Sequence, residues 1–344
     1  MKKANILVGV LIGALAASAL FAYLGRKQLS GEGGSGVSQE RVIKVAHNLP
    51  NSHPVHQGIE HFARRLEALS GGRMKCDVFP NGQLGDETEY LEKLQAGSLD
   101  IAKTSAAPIA NFVPRMKVFS LPYLFRDRDH YWSVLDGKIG THLLEELETR
   151  DGEHPSGIRG LCYYDAGSRN FYSVGEIKDP ADLKGLNIRV MKDPIAIAMT
   201  STLGANPVPM PGGEIYSALQ RGNINGAENN PPTFVAQRHY EVCKNFIFDH
   251  HSRIPDVLNI SSALWKTLTD QEREWVLTAA RESSHFQRKL WQAQSDAAVE
   301  EMKKNGVTIR EADISAFQKA AGPSRKDFLT GEVKTYAEQI ESAQ

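Results

Sequence analysis

A chain of 344 residues with 40 Lys+Arg, 41 Asp+Glu and 41% hydrophobic residues has an ordinary soluble composition and a net charge of -1. That balance excludes a basic nucleic-acid surface, and the length exceeds what one core usually holds, so two lobes are expected. The sequence contains no GxSxG, HExxH, GxxxxGK[ST] or CxxC pattern, which argues against an enzyme and against a metal or other cofactor.

The chain begins with a basic Met1-Lys2-Lys3 and an uncharged apolar run from Ile6 to Leu24, with Ala17-Ser18-Ala19 as a small-x-small cleavage pattern. Residues 1–27 are therefore expected to be a signal peptide or an uncleaved anchor, and export follows in either case. Residues 28–41, rich in Gly and Ser, are expected to be a flexible linker. They contain a formal GxGxxG match that lacks the flanking strand and helix of a dinucleotide site.

Arg41 to Ala46 reads as a strand, followed by a helix from Pro54 that carries Val55, Ile59, Phe62 and Leu66 on one face and ends at Gly71-Gly72. Met74 to Phe79 is a second strand, Asp86 to Gln95 a helix stopped at Gly97, and Leu99 to Ala102 a third strand. The alternation implies a parallel or mixed sheet with ligand sites at strand C-termini. Glu89-Leu94-Gln95-Gly97-Ala102 is echoed by Glu214-Leu219-Gln220-Gly222-Ala227. The echo suggests two similarly built lobes whose strand-end loops face one cleft.

Between Leu183 and Phe234 an apolar strand, LNIRVM, contains Arg189. A buried guanidinium stays charged and is costly unless an anion meets it. The anion is either a protein carboxylate or a bound ligand: Arg169 can pair with Asp165, and Arg189 with Glu228 or Asp193. Further on, Thr269-Asp270 opens a helix that runs uninterrupted to Gly306, with Trp275, Ala279, Phe286, Leu290, Ala293, Ala297 and Met302 read as its apolar side. It is long enough to lie across both lobes, and Phe317, Phe328 and Tyr336 read as packing against it. His56 and His61 are poorly spaced for a metal. Three cysteines, 76, 162 and 243, allow one disulfide.

Several segments, GQLGDE (82–87), LPYLF (121–125), GSRNFYS (167–173), DLKGLNIRVM (182–191) and PGGEIYSALQRGNINGAENNPP (211–232), together resemble TRAP-transporter periplasmic substrate-binding proteins of the DctP type. The likeness runs from about Val42 to at least Leu268 and includes the long helix. It implies an α/β, two-lobed periplasmic binding protein fold with hinge strands and a long C-terminal helix spanning both lobes. Lobe I would comprise 42–166 plus 255–295, and lobe II 167–254 plus 296–344.

By the same resemblance Arg189 forms the principal salt bridge to a ligand carboxylate, Arg169 supports it, and Asn229 holds it from another side. A guanidinium fork matches a carboxylate in two parallel charge-assisted bonds. Asn48, His53, Glu87 and Ser105 would read the rest of the ligand, Met191 with Tyr164 and Phe171 would form an apolar wall, and Tyr216 would add a further contact. Ser105 and Gly212 depart from the sialic-acid binders, and the wording is closer to members that bind sugar acids such as uronates and diketogulonate. The resemblance implies a monomeric periplasmic subunit delivering a small organic acid to DctQ- and DctM-type permease subunits. A C4-dicarboxylate or other hydroxy or keto acid is the alternative ligand, and a sensory binding protein the alternative role.

Overall fold

The computed structural model describes residues 40–343; the expected export segment and nearly all of the linker lie outside the described residues. No helix among the described residues is long and apolar enough to cross a membrane.

Eleven strands follow one another as β1 (Arg41–Ala46), β2 (Met74–Phe79), β3 (Ile101–Ser105), β4 (Ile158–Tyr164), β5 (Asn170–Ser173) and β6 (Asn187–Val190). They continue as β7 (Asn206–Pro209), β8 (Gly226–Asn229), β9 (Asn245–Phe248), β10 (Asp256–Ser261) and β11 (Thr308–Glu311). They form two sheets, ordered β2-β1-β3-β10-β4 and β11-β9-β5-β8-β6-β7. In the first, β1 is parallel to β2 and β3, whereas β10 is antiparallel to both its neighbours. The chain passes from the first sheet to the second after Tyr164 and returns before Asp256. β10 is thus a returning strand, laid between β3 and β4.

The local chemistry accounts for these elements. In β1, Ile43 and Val45 are fully buried while Val42 is half exposed, the alternation of a strand covered on one face. Helix Pro54–Leu69 begins with Pro at its first turn and buries Val55, Ile59, Phe62 and Leu66. Helix Glu87–Ala96 is opened by a capping box between Asp86 and Glu89 and closed by Gly97 at φ 71°. Its echo, helix Ile215–Gln220, is followed by Gly222, also at φ 71°. Each leads into a central strand, β3 or β8.

The long helix spans Asp270–Lys304, 35 residues, or about 52 Å. Thr269 and Glu272 cap its start, and Lys303 and Lys304 occupy its last turn. Its buried stripe differs from the one read off the sequence. Val276, Ala279, Ala280, Trp291, Ala298 and Met302 are buried together with three polar residues, Ser283, Ser284 and Gln287. Phe286 instead stacks on His61, and Trp275 lies under Arg73. The polar residues are buried because the end of β4 and the crossover after it need them. Ser284 donates to the Tyr163 carbonyl at 2.6 Å, and Gln287 bonds both the N–H and the carbonyl of Asp165 at 2.8 Å.

The tail does not pack on the long helix. Helix Ile314–Lys326, carrying Phe317, lies against Pro194–Thr202 beside the second sheet. Helix Gly331–Ser342 instead puts Val333, Tyr336, Ala337 and Ile340 into the core of the first sheet, although 296–344 was expected to belong with the second. All three cysteines are unpaired, so the one disulfide that their number allows is not present. Burial pushes each thiol up to about 12, which leaves them inert near neutral pH.

Candidate functional site

A cavity of about 560 Å³, counted with its open mouth, lies between the two sheets at the ends of β3 and β8. Asn48, His53, Glu87 and Ser105 line it from the first side, and Arg169, Arg189, Met191 and Asn229 from the second. Eight of the eleven residues singled out from the sequence thus meet in one place. Tyr216 does not: its hydroxyl donates to Glu241 at 2.6 Å, away from the cavity. Tyr164 and Phe171 are core residues rather than a cavity wall; Tyr164 bonds Ser283, and Phe171 packs against His251.

The two arginines differ in their partners. Arg169, just before β5, grips Glu228 through Nε and through Nη2 at 2.9 Å, and its Nη2 also donates to the Glu228 carbonyl at 2.7 Å. Burial disfavours both charges, yet the pair prevails: Arg169 holds Glu228 down at about 2, helped by His251. Arg169 lines the cavity together with Arg189. Its guanidinium is largely spent on Glu228, and Nη1 reaches Asn229 Oδ1 at 3.3 Å. Asp165, the alternative partner, is taken by Arg128 at 3.0 Å.

Arg189 sits on β6 with Ala227 of β8 beside it and is only 4% exposed. Its Nε and Nη2 donate to the Met210 carbonyl at 3.0 and 2.7 Å, and no carboxylate among the described residues lies within ion-pair distance. Asp193 is used elsewhere, as the cap of helix Pro194–Thr202. Burial lowers the pKa of Arg189, partly offset by the more distant Glu228, but guanidinium remains protonated at any working pH. The site therefore holds a buried cation with a free edge on a cavity.

The first side carries a second ionic group. Lys103, on β3, donates to Glu87 at 2.9 Å and Asp256 at 3.3 Å. Ser105 lies opposite Asp256 in the ladder, so Lys103, Ser105 and Asp256 share one sheet face. His53 caps helix Pro54–Leu69 by accepting from Val55 N through Nδ1, so its Nε2 carries the proton and donates to Thr233 across the cleft at 3.2 Å. Burial, then Lys103, pushes the imidazole well below its usual pKa and keeps it neutral. Lys192 bonds Asp86 at 3.0 Å and so also bridges the two sides. A Cβ on Gly212 would lie 3.6 Å from Asn48 Nδ2. That is ordinary van der Waals contact, so Gly212 marks where the second side lies close to the first.

Lys103, Asp256, Asn230 and Thr233 were not picked out in advance. The first two carry the same signal as Arg189, a charge inside an apolar strand (IAKTS, DVLNIS). Asn230 and Thr233 carry none. His251 is buried between Asp249 at 2.8 Å and Glu228 at 3.4 Å. Burial opposes its charge, but the two carboxylates raise its pKa to about 9.

Comparison with known proteins agrees with this architecture. Residues 45–331 match the DctP family, described as bacterial extracellular solute-binding protein, family 7. A TRAP periplasmic solute-binding protein from Citrobacter koseri, solved with bound D-glucuronate, is 37% identical, with a TM-score of 0.85 over 88% of this chain and 100% of that one. One from Xanthobacter autotrophicus Py2, with bound β-D-galacturonate, is 36% identical at a TM-score of 0.84, with the same coverage. The 2,3-diketo-L-gulonate-binding periplasmic protein of Escherichia coli K12 is 30% identical over 87% of this chain and 90% of its own. With the two-sheet fold, the long helix and a cleft built around a buried cation, the chain belongs to the DctP family of extracellular solute-binding proteins that serve TRAP transporters.

Proposed function

We propose that this protein captures a small sugar acid, of the uronate class, in the interlobe cleft and delivers it as a periplasmic monomer to DctQ- and DctM-type permease subunits. The observation that carries the reading is Arg189, a nearly fully buried cation with no carboxylate partner and a free edge on the cavity. In this reading the ligand carboxylate accepts from Arg189 and from the Asn229 amide, with Met191 beside it. Asn48, His53, Glu87 and Ser105 meet the remainder. The lobes divide near residues 166 and 254, and closure completes the site because only then do both sides touch the ligand.

The test is a thermal-shift panel of D-galacturonate, D-glucuronate, 2,3-diketo-L-gulonate, succinate and D-galactose. A ligand at 100-fold its Kd adds about 2.7 kcal/mol, so the uronates should raise the melting temperature and galactose should not. A shift by galactose equal to that by galacturonate would remove the carboxylate from the reading. A shift by succinate alone would move it to C4-dicarboxylates.

A further inference from the structure

The two walls of the cavity have opposite hydrogen-bonding character. On the second side, Asn229 Oδ1 is occupied by Arg169 Nη1 at 3.3 Å and by the N–H of Asn230 at 2.9 Å. The Asn229 amide is left to present its NH₂ alongside Arg189, so these two groups can only donate. On the first side, Glu87 Oε1 accepts from Lys103 at 2.9 Å and from the N–H of Ser105 at 3.1 Å, while Asp256 Oδ1 accepts from Lys103 at 3.3 Å. Glu87 Oε2 and Asp256 Oδ2 have no hydrogen-bond partner among the described residues, and Asn48 Oδ1 is buried without one. This wall chiefly accepts, and it carries two carboxylates against one ammonium.

We propose that Glu87 and Asp256, held in place by Lys103, determine specificity by accepting hydroxyl hydrogens at the end of the ligand remote from its carboxylate and by excluding sugar diacids. The inference rests on the assignment of Arg189 to the ligand carboxylate and adds the orientation and charge of the ligand. A sugar monoacid offers one end that only accepts and another that can donate, which matches the two walls in a single direction. A diacid must place its second carboxylate beside Glu87 and Asp256, where the ammonium of Lys103 is already shared between those two carboxylates. Like charges facing one another in a closed cleft cost several kcal/mol, and a carboxylate has no hydrogen to give to the open oxygens.

The experiment is calorimetric titration of the protein with D-galacturonate, its C1-oxidised diacid galactarate, and D-galactose. Wild type, Glu87→Gln and Asp256→Asn are compared, each with a melting temperature to verify folding. Wild type should bind galactarate at least about 100-fold more weakly than galacturonate. Glu87→Gln, which keeps an acceptor but loses its charge, should weaken galacturonate binding by about tenfold and narrow the preference over galactarate by a similar factor. Asp256→Asn should act in the same sense. Equal binding of the two acids by wild type, or a preference unchanged in the folded variants, overturns this proposal alone. Wild type that binds galactose as well as galacturonate, or binds no uronate, overturns the Arg189 assignment and this proposal with it.

Discussion

Replacing Arg189 and Arg169 by methionine, one at a time, should move stability and binding in different ways, because only one of the two cations has an internal carboxylate partner. In Arg169→Met, Glu228 stays buried, at 1% exposure, with only His251 at 3.4 Å against it. Removing one member of a buried pair costs about 3–5 kcal/mol. For a chain of this size 1 kcal/mol is worth roughly 2 °C, so the melting temperature should fall by about 6–10 °C. Arg189→Met removes a charge whose bonds go only to the Met210 carbonyl. The lost bonds, about 1 kcal/mol, are set against relief of a buried unpaired charge. The unliganded variant should therefore melt within about 3 °C of wild type. Binding reverses the order: losing the ionic partner of a buried carboxylate costs about 2–5 kcal/mol, or roughly 30-fold or more in Kd. Differential scanning calorimetry with and without D-galacturonate at 100 times the wild-type Kd reads both effects. Arg189→Met should lose the ligand-induced shift of about 5 °C. An Arg189→Met variant destabilised as much as Arg169→Met, and still stabilised by the uronate, would refute the reasoning.

Two further outcomes follow from buried groups away from the carboxylate end. His251 has its folded pKa raised from 6.5 to about 9, so the native state holds an extra proton between those values. Its contribution is complete below pH 6.5 and lost as pH rises through 9, worth on the order of 3 kcal/mol; the melting temperature should decline across that window and flatten there in His251→Asn. Gly58 lies where helix Pro54–Leu69 crosses the long helix, and an added Cβ would sit 2.9 Å from Gln287 Cβ. Gln287 is pinned by both of its bonds to Asp165, so overpacking of about 1–3 kcal/mol should outweigh the roughly 0.5–1 kcal/mol gained by replacing a helical glycine. A higher melting temperature for Gly58→Ala would show that the long helix can shift at no cost.

What could be read from the sequence is what depends on near neighbours. The capping boxes at Asp86 and Thr269, the left-handed glycines at 97 and 222, and Pro54 at a helix start act within a few residues. So the 35-residue helix and the paired helix-glycine-strand units were legible. The charge inside LNIRVM was legible too, because a guanidinium in an apolar strand is anomalous wherever the strand is placed. The same rule, applied to Lys103 in IAKTS, finds the second ionic group.

The identity of each partner was not legible. Arg169 meets Glu228 from 59 residues away, Lys103 meets Asp256 from 153, and His53 meets Thr233 from 180. The buried stripe of the long helix eluded the hydrophobic pattern because Ser283, Ser284 and Gln287 are held by β4 and the crossover after it, not by apolar packing. The sequence alone determined that cations would be buried near strand ends. Only the folding of the two sheets decided that Glu228 would satisfy Arg169 and leave Arg189 without a carboxylate partner, because electrostatic pairing depends on separation in space and the chain order does not encode it.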